Sequence, residues 1–144
     1  MEDSLKLENQ LCFPLYACSK EVIRRYKPIL DKLDLTYTQY ITMMVLWEYG
    51  SINIKKLGDM LLLDSGTLTP LLKKLEAKGY ISRNRDSKDE RNLIITITKE
   101  GSKLKEKAVC VPAEIGKCIN LSEKEAIDLY KLLYKLLGNI EKDD

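Results

Sequence analysis

The stretch from Leu63 to Arg91 constrains this chain more than any other. Leu63-Asp64-Ser65-Gly66-Thr67-Leu68-Thr69-Pro70-Leu71-Leu72-Lys73-Lys74-Leu75-Glu76 reads as a helix whose leading turn is small and hydroxylated. Gly79 suits the helix C-cap, because glycine enters the left-handed region without steric cost. Two β-rich runs follow, Tyr80-Ile81-Ser82-Arg83 and Leu93-Ile94-Ile95-Thr96-Ile97, on either side of a charged tip that holds Arg85, Lys88, Asp89 and Arg91. The expected local structure is a helix followed by a hairpin.

Upstream, Thr36-Tyr37-Thr38-Gln39 has the capping-box form in which a threonine hydroxyl and a glutamine side chain reciprocally bond the first turn. It predicts a helix from Tyr37 to Tyr49, stopped by Gly50. Asn53 can cap a short third helix with Ile54, Leu57, Met60 and Leu61 on one face. The gap at Leu62-Leu63-Asp64 leads to the helix of the opening stretch. Two helices joined by a tight turn make a helix-turn-helix, in which the second lies in the DNA major groove with its N-terminal residues near base edges. That assigns Ser65 to Glu76 as the reading helix and the hairpin as a wing. Thr69-Pro70 resembles an N-cap followed by a first-turn proline, which would start the helix later than Ser65, and an irregular opening turn around Gly66 and Pro70 is expected.

The two ends of the chain are amphipathic. Leu7, Leu11, Leu15, Cys18, Val22, Ile29 and Leu33 recur in steps of three, four and seven, which suits a long helix. Pro14 and Pro28 disturb it, so the helix either starts near Phe13 or kinks there. Thr98 opens another helix, which Pro112 and Gly116 interrupt. Ser122-Glu123-Lys124-Glu125 is a second capping box, ahead of Leu129, Leu132, Leu133, Leu136, Leu137 and Ile140, with Tyr130 and Tyr134 widening the stripe. These ends carry more apolar surface than one neighbouring face hides, which predicts a two-fold homodimer rather than a monomer with thick helical packing. The fold expectation is mainly α with a small β-hairpin: a winged helix-turn-helix over about residues 36–97, dimerisation helices over about 5–33 and 99–141, and one domain spanning 1–144.

A net charge of +2 is too small to indicate nucleic-acid binding by itself. Between Lys55 and Arg91, however, nine basic residues face six acidic ones. Ser65, Thr67 and Thr69 are short hydrogen-bonding side chains suited to phosphates or base edges, with ordinary N-capping as the structural alternative. Lys73 and Lys74 suit phosphates or simply a solvated face. Arg85, Lys88 and Arg91 suit phosphates or a narrow minor groove. Trp47, Tyr37 and Tyr40 read as core and pocket lining. No apolar run approaches the roughly 18 residues of a membrane span, and Met1-Glu2-Asp3 lacks a signal-peptide pattern, so no membrane partner and a cytoplasmic location are expected. The chain has no histidine, which removes Ser-His and Cys-His nucleophile pairs, and its four cysteines, Cys12, Cys18, Cys110 and Cys118, contain no C-x-x-C. No enzyme, metal or cofactor is expected. Cys12 and Cys18 lie about 9 Å apart along one helix, beyond the roughly 7 Å that a disulfide spans between Cα atoms. Cys18 reads as bystander core.

Leu7-Glu8-Asn9-Gln10-Leu11-Cys12-Phe13, Leu35-Thr36-Tyr37-Thr38-Gln39-Tyr40, Leu63 through Lys73, and Asp89-Glu90-Arg91 together resemble the OhrR and MgrA branch of the MarR regulators, over about residues 5 to 120. The resemblance implies a dimeric winged helix-turn-helix repressor of a pseudo-palindromic duplex DNA operator, whose affinity falls when one reactive cysteine is oxidised by a peroxide or related oxidant. In that branch the sensor stands where Cys12 is. Two tyrosines that bond its thiolate, one from each subunit, match Tyr16 and Tyr26. Asp89 matches the wing carboxylate that orients an arginine, here Arg91, into the minor groove. Two-cysteine members use a partner just after a Val-Pro sequence, which points to Cys118 and then Cys110 as resolving residues. Pro14 departs from the apolar residue common there. A sensing cysteine must be thiolate, which helix N-terminal amides and tyrosine hydroxyls can favour without histidine. Three other readings stand beside this one. A MarR-type regulator could be released by a small apolar or aromatic ligand in a cleft, a thiol peroxidase could use Cys12, or the chain could be an interaction protein that does not touch DNA.

Overall fold

In the computed structural model, which describes residues 2–141, two short 3-10 turns, Glu2–Leu5 and Leu7–Asn9, precede α1 (Cys12–Asp31). The helix therefore begins at Cys12, and Pro14 falls in its first turn, where the missing amide would have had no intrahelical partner. The kink is not needed. Pro28 sits inside the last part of α1. The chain divides into two compact units, Met1–Val111 and Pro112–Asp144.

In the first unit, Thr36 caps α2 (Tyr37–Tyr49), and both halves of its capping box are made. Gly50 has φ +75, the left-handed conformation that lets the chain leave α2 and enter a strand at once. That strand, β1 (Ser51–Asn53), is a correction to the simple hairpin expectation. It pairs antiparallel with β3 (Leu93–Ile97), and β3 pairs with β2 (Ile81–Arg85), so the sheet order is β1-β3-β2. Ile95 is central, opposite Ile52 on one side and Arg83 on the other, and is fully buried. Asn53 caps α3 (Ile54–Leu61) through its bond from the Lys56 amide. Leu62, at φ +55, makes the tight left-handed turn towards the next helix.

α4 (Ser65–Ala77) occupies the place assigned to the reading helix and begins at Ser65 as that assignment has it, so the later start that Thr69-Pro70 offered is corrected. Asp64, not Thr69, is the N-cap: its carboxylate accepts from the Thr67 amide at 2.8 Å. Pro70 lies within the helix rather than at its start. Leu68, Leu71, Leu72 and Leu75 point inward from α4 and join Leu30, Met43, Leu46, Leu57, Ile81 and Ile95 in one apolar core. Thr98 caps α5 (Lys99–Ala108). The interruption expected beyond it comes at Val109 and Cys110, just before α6 (Val111–Ile119), where Pro112 sits in the first turn, while Gly116 is accommodated inside the helix.

In the second unit, α7 (Glu123–Glu141) follows the Ser122 capping box, in which the Ser122 amide bonds Glu125 at 2.9 Å and the Glu125 amide bonds Ser122 at 3.1 Å. None of the described residues of α7 is buried, and Tyr130, Leu132 and Tyr134 are each about 60% exposed. α1 is similar: only Leu30 is buried, while Leu11 is 86% exposed and Phe13, Leu15, Tyr16 and Ile23 also face outward. Cys18, expected in the core, is exposed on this helix. A helix contributes to a core only on the face its neighbours cover, and the part of α1 that joins the core is Leu30, with Tyr26 and Ile29 packed against it.

Candidate functional site

α4 separates its side chains by chemistry. The leucine face is buried, which leaves Ser65, Thr67, Lys73 and Lys74 exposed and Thr69 half-buried. The Asp64 cap uses one of the free amides of the first turn, and that backbone bond, with the Thr67 hydroxyl, holds the Asp64 carboxyl below the usual aspartate range. Asp64 was missed from sequence because Thr69-Pro70 offered a competing start. The signal available was an Asp three residues before Thr67, in the N-cap relation.

The wing is built by two aspartates. Asp86 accepts from the Lys88 amide at 3.0 Å, and Asp89 accepts from the Arg91 amide at 3.1 Å, each closing an Asx turn. The ladder continues through Asp86 N–H to the Asn92 carbonyl at 2.8 Å and Asn92 N–H to the Asp89 carbonyl at 2.9 Å. Arg91 Nε also donates to Asp89 at 3.3 Å while the arginine side chain remains 92% exposed. Such an exposed pair contributes at most about 1 kcal/mol. Arg85 and Lys88 are exposed on the same hairpin. Arg83 differs, since it is largely buried and donates to Glu76 at 3.0 Å, tying the last turn of α4 to β2 and holding the Glu76 carboxyl below its ordinary range. Reading helix and wing therefore form one connected surface.

Cys12 is the first residue of α1, with its side chain exposed, and Tyr16 stands one turn further along, its ring 6.4 Å from that of Phe13. The buried structural role that isolated cysteines commonly take does not apply. Tyr26 lies elsewhere. It belongs to a cluster with Tyr37 and Tyr40, at 4.8 and 5.9 Å between ring centroids, and Tyr40 in turn packs edge-on against Trp47. Burial, then the neighbouring Tyr37 and Tyr40, pushes the Tyr26 hydroxyl up to about 12, so it keeps its proton throughout the physiological range and can donate. Fourteen residues along one helix separate Cys12 from Tyr26, about 21 Å at 1.5 Å per residue. The two cannot meet within one chain. Cys110 occupies the turn after α5, where its thiol donates to the Lys107 carbonyl at 3.5 Å, and Cys118 is exposed on α6.

Among the described residues no cluster of metal-ligating side chains occurs, and no helix is long and apolar enough to cross a membrane.

Known proteins similar to this chain are transcription regulators. A family model described as transcriptional regulator SarA/Rot matches residues 24–108. The organic hydroperoxide resistance transcriptional regulator of Bacillus subtilis is 49% identical over 143 residues, covering 97% of this chain and 95% of that protein. The HTH-type transcriptional regulator SarZ of Staphylococcus aureus is 49% identical over 123 residues, 85% of this chain and 83% of SarZ. Structures of AbfR, a protein of Staphylococcus epidermidis, are also similar. Reduced AbfR bound to DNA is 34% identical with a TM-score of 0.78 over 96% of this chain and 97% of that one. A disulfide-formed AbfR is 34% identical with a TM-score of 0.65, over 94% and 96%. These relatives favour the redox-sensing reading over release by a small ligand. The chain belongs to the SarA/Rot family of transcriptional regulators and to the OhrR-like branch of the MarR winged-helix proteins.

Proposed function

We propose that this chain is a cytoplasmic, homodimeric repressor, not an enzyme, that binds a pseudo-palindromic operator through α4 and the wing and releases it when Cys12 is oxidised. The observation that carries this reading is the placement of Cys12, exposed at the head of a helix whose outward apolar face suits a second copy. Residues 1–144 act as one functional domain in this reading, with α1, α5, α6 and α7 supplying the two-fold interface. Ser65, Thr67 and Thr69 contact phosphates or base edges, Lys73, Lys74, Arg85 and Lys88 neutralise phosphates, and Asp89 aims Arg91 into the minor groove. Two reading helices in a dimer then meet half-sites about 34 to 36 Å apart.

The sensor chemistry proceeds in two steps. The Cys12 thiolate attacks an oxygen of an organic hydroperoxide, the O–O bond breaks, and the alkoxide leaves to become an alcohol. Sulfur loses two electrons and becomes a sulfenic acid. Tyr16 of the same subunit and Tyr26 of the other donate hydroxyl hydrogen bonds to the thiolate before attack. The Cys118 thiolate of the second subunit then attacks the oxidised sulfur, forming the S–S bond and expelling hydroxide, which is protonated to water. Cys110 is the second candidate for this step.

The central test is a titration of labelled duplex, selected by the reduced protein from random-sequence DNA, with and without cumene hydroperoxide. Binding that oxidant leaves untouched would remove the redox reading. Arg91→Ala should weaken binding of that duplex by about 1 to 3 kcal/mol at constant salt, with fold and dimer unchanged. An unaltered titration curve excludes Arg91 from the interface. On non-reducing gels after mild peroxide, the wild type should give a covalent dimer band that Cys118→Ser lacks. Persistence of the band in Cys118→Ser rules out Cys118 as the resolving residue.

A further inference from the structure

Lys78 is the C-cap residue of α4, but its side chain does not serve α4. An ammonium carries three donors. Those of Lys78 are directed at the backbone carbonyl of Asp34, at Gln39 Oε1 at 3.3 Å, and towards the Asp34 carboxylate at 3.5 Å. Asp34, at φ +54, is the left-handed residue on which the chain turns from α1 towards α2, between the buried Leu33 and Leu35. Gln39 is itself buried and its Oε1 also accepts the Thr36 amide at 3.0 Å, so one oxygen serves both the α2 capping box and Lys78. The Asp34 carboxylate is exposed and its ion pair adds little. The carbonyl and the partly buried amide oxygen are the partners whose loss matters. Among the described residues no other hydrogen bond or ion pair joins this corner to α4. The head of α1 is Cys12, and the tail of α1 is bonded through this corner to the reading helix.

We propose that Lys78 is a positioning residue that carries the orientation of α1 into α4, so that a change at Cys12 alters the reading helix through the contact between Lys78 and the Asp34–Gln39 corner. This rests on the redox reading above. In that scheme Lys78 contributes to the difference between the oxidised and reduced states rather than to DNA affinity itself. Its removal lowers the coupling between the two sites.

The measurement is the ratio of Kd values for the selected duplex after and before cumene hydroperoxide, in wild type, Lys78→Met and Lys78→Arg. Methionine keeps an unbranched apolar stem and removes all three donors; arginine returns them. The reduced affinity of Lys78→Met is expected to stay near wild type, the ratio to fall about tenfold, and Lys78→Arg to recover it. A merely structural lysine would shift thermal stability and leave the ratio alone, so equal ratios in wild type and Lys78→Met overturn the proposal. A wild type whose binding ignores the hydroperoxide instead overturns the redox reading itself. If circular dichroism shows Lys78→Met to be unfolded, Gln39→Met takes its place. Methionine is close in size and removes the side-chain oxygen that accepts from Lys78, and its ratio must fall in the same direction for the proposal to stand.

Discussion

Cys12→Ser is expected to bind the selected duplex as the reduced wild type does and to lose its entire response to organic hydroperoxide. Serine keeps the size of the side chain, and Cys12 is exposed at the head of α1, so neither packing nor the α4 surface changes. The hydroxyl is not a nucleophile towards peroxide oxygen, because it stays protonated where a thiol can ionise. Coupled sites of this kind typically differ in affinity by about 5- to 150-fold between states, and that factor should collapse to unity in Cys12→Ser. Anisotropy titration before and after oxidant measures it directly. A variant that still releases DNA on oxidation would place the sensor at Cys18, Cys110 or Cys118.

Gly101→Ala is expected to destabilise the first unit by about 3 kcal/mol, near the top of the usual range for overpacking. Gly101 lies in the first turn of α5, where its amide bonds the Thr98 hydroxyl at 3.1 Å and its carbonyl accepts from Trp47 Nε1 at 2.9 Å. A Cβ there would drive into the Tyr80 carbonyl and stand 2.9 Å from Ile97 Cγ1. The obstructing atom at Tyr80 is backbone, at the entry to β2, so relief requires α5 to move away from the sheet and from α2 rather than a rotamer change. Urea denaturation followed by circular dichroism gives the change. A midpoint equal to wild type would mean that α5 shifts freely, contrary to its bonds from Thr98 and Trp47.

Several elements were legible because their signals are local. The Thr36 and Ser122 capping boxes, the Gly50 stop, the Asn53 cap and the Asp89–Arg91 pair each involve residues within four positions of one another, and each forms as read. Leu63 to Arg91 likewise announced a helix and a hairpin. The errors came where distant residues decide. β1 has three residues and no strand pattern of its own; it exists because Ile52 finds Ile95 across the sheet. Cys18 shares the apolar spacing of α1 yet is exposed, since periodicity identifies a face without saying what lies against it. At the start of α4, two local signals competed, and the Asp64 cap prevailed because the leucine face from Leu68 onward is buried and needs the helix in place before Pro70.

By itself the sequence determined most of the helices and their order and the wing with its charged tip, because caps, turns and amphipathic periods depend on neighbours a few positions away. Tertiary structure alone decided the third strand, the exposure of Cys12, the tyrosine cluster that keeps the Tyr26 proton, and the Lys78 contact with Asp34 and Gln39, 44 and 39 residues distant. Those features arise from burial and from bonds between segments far apart in the chain, which no local pattern encodes.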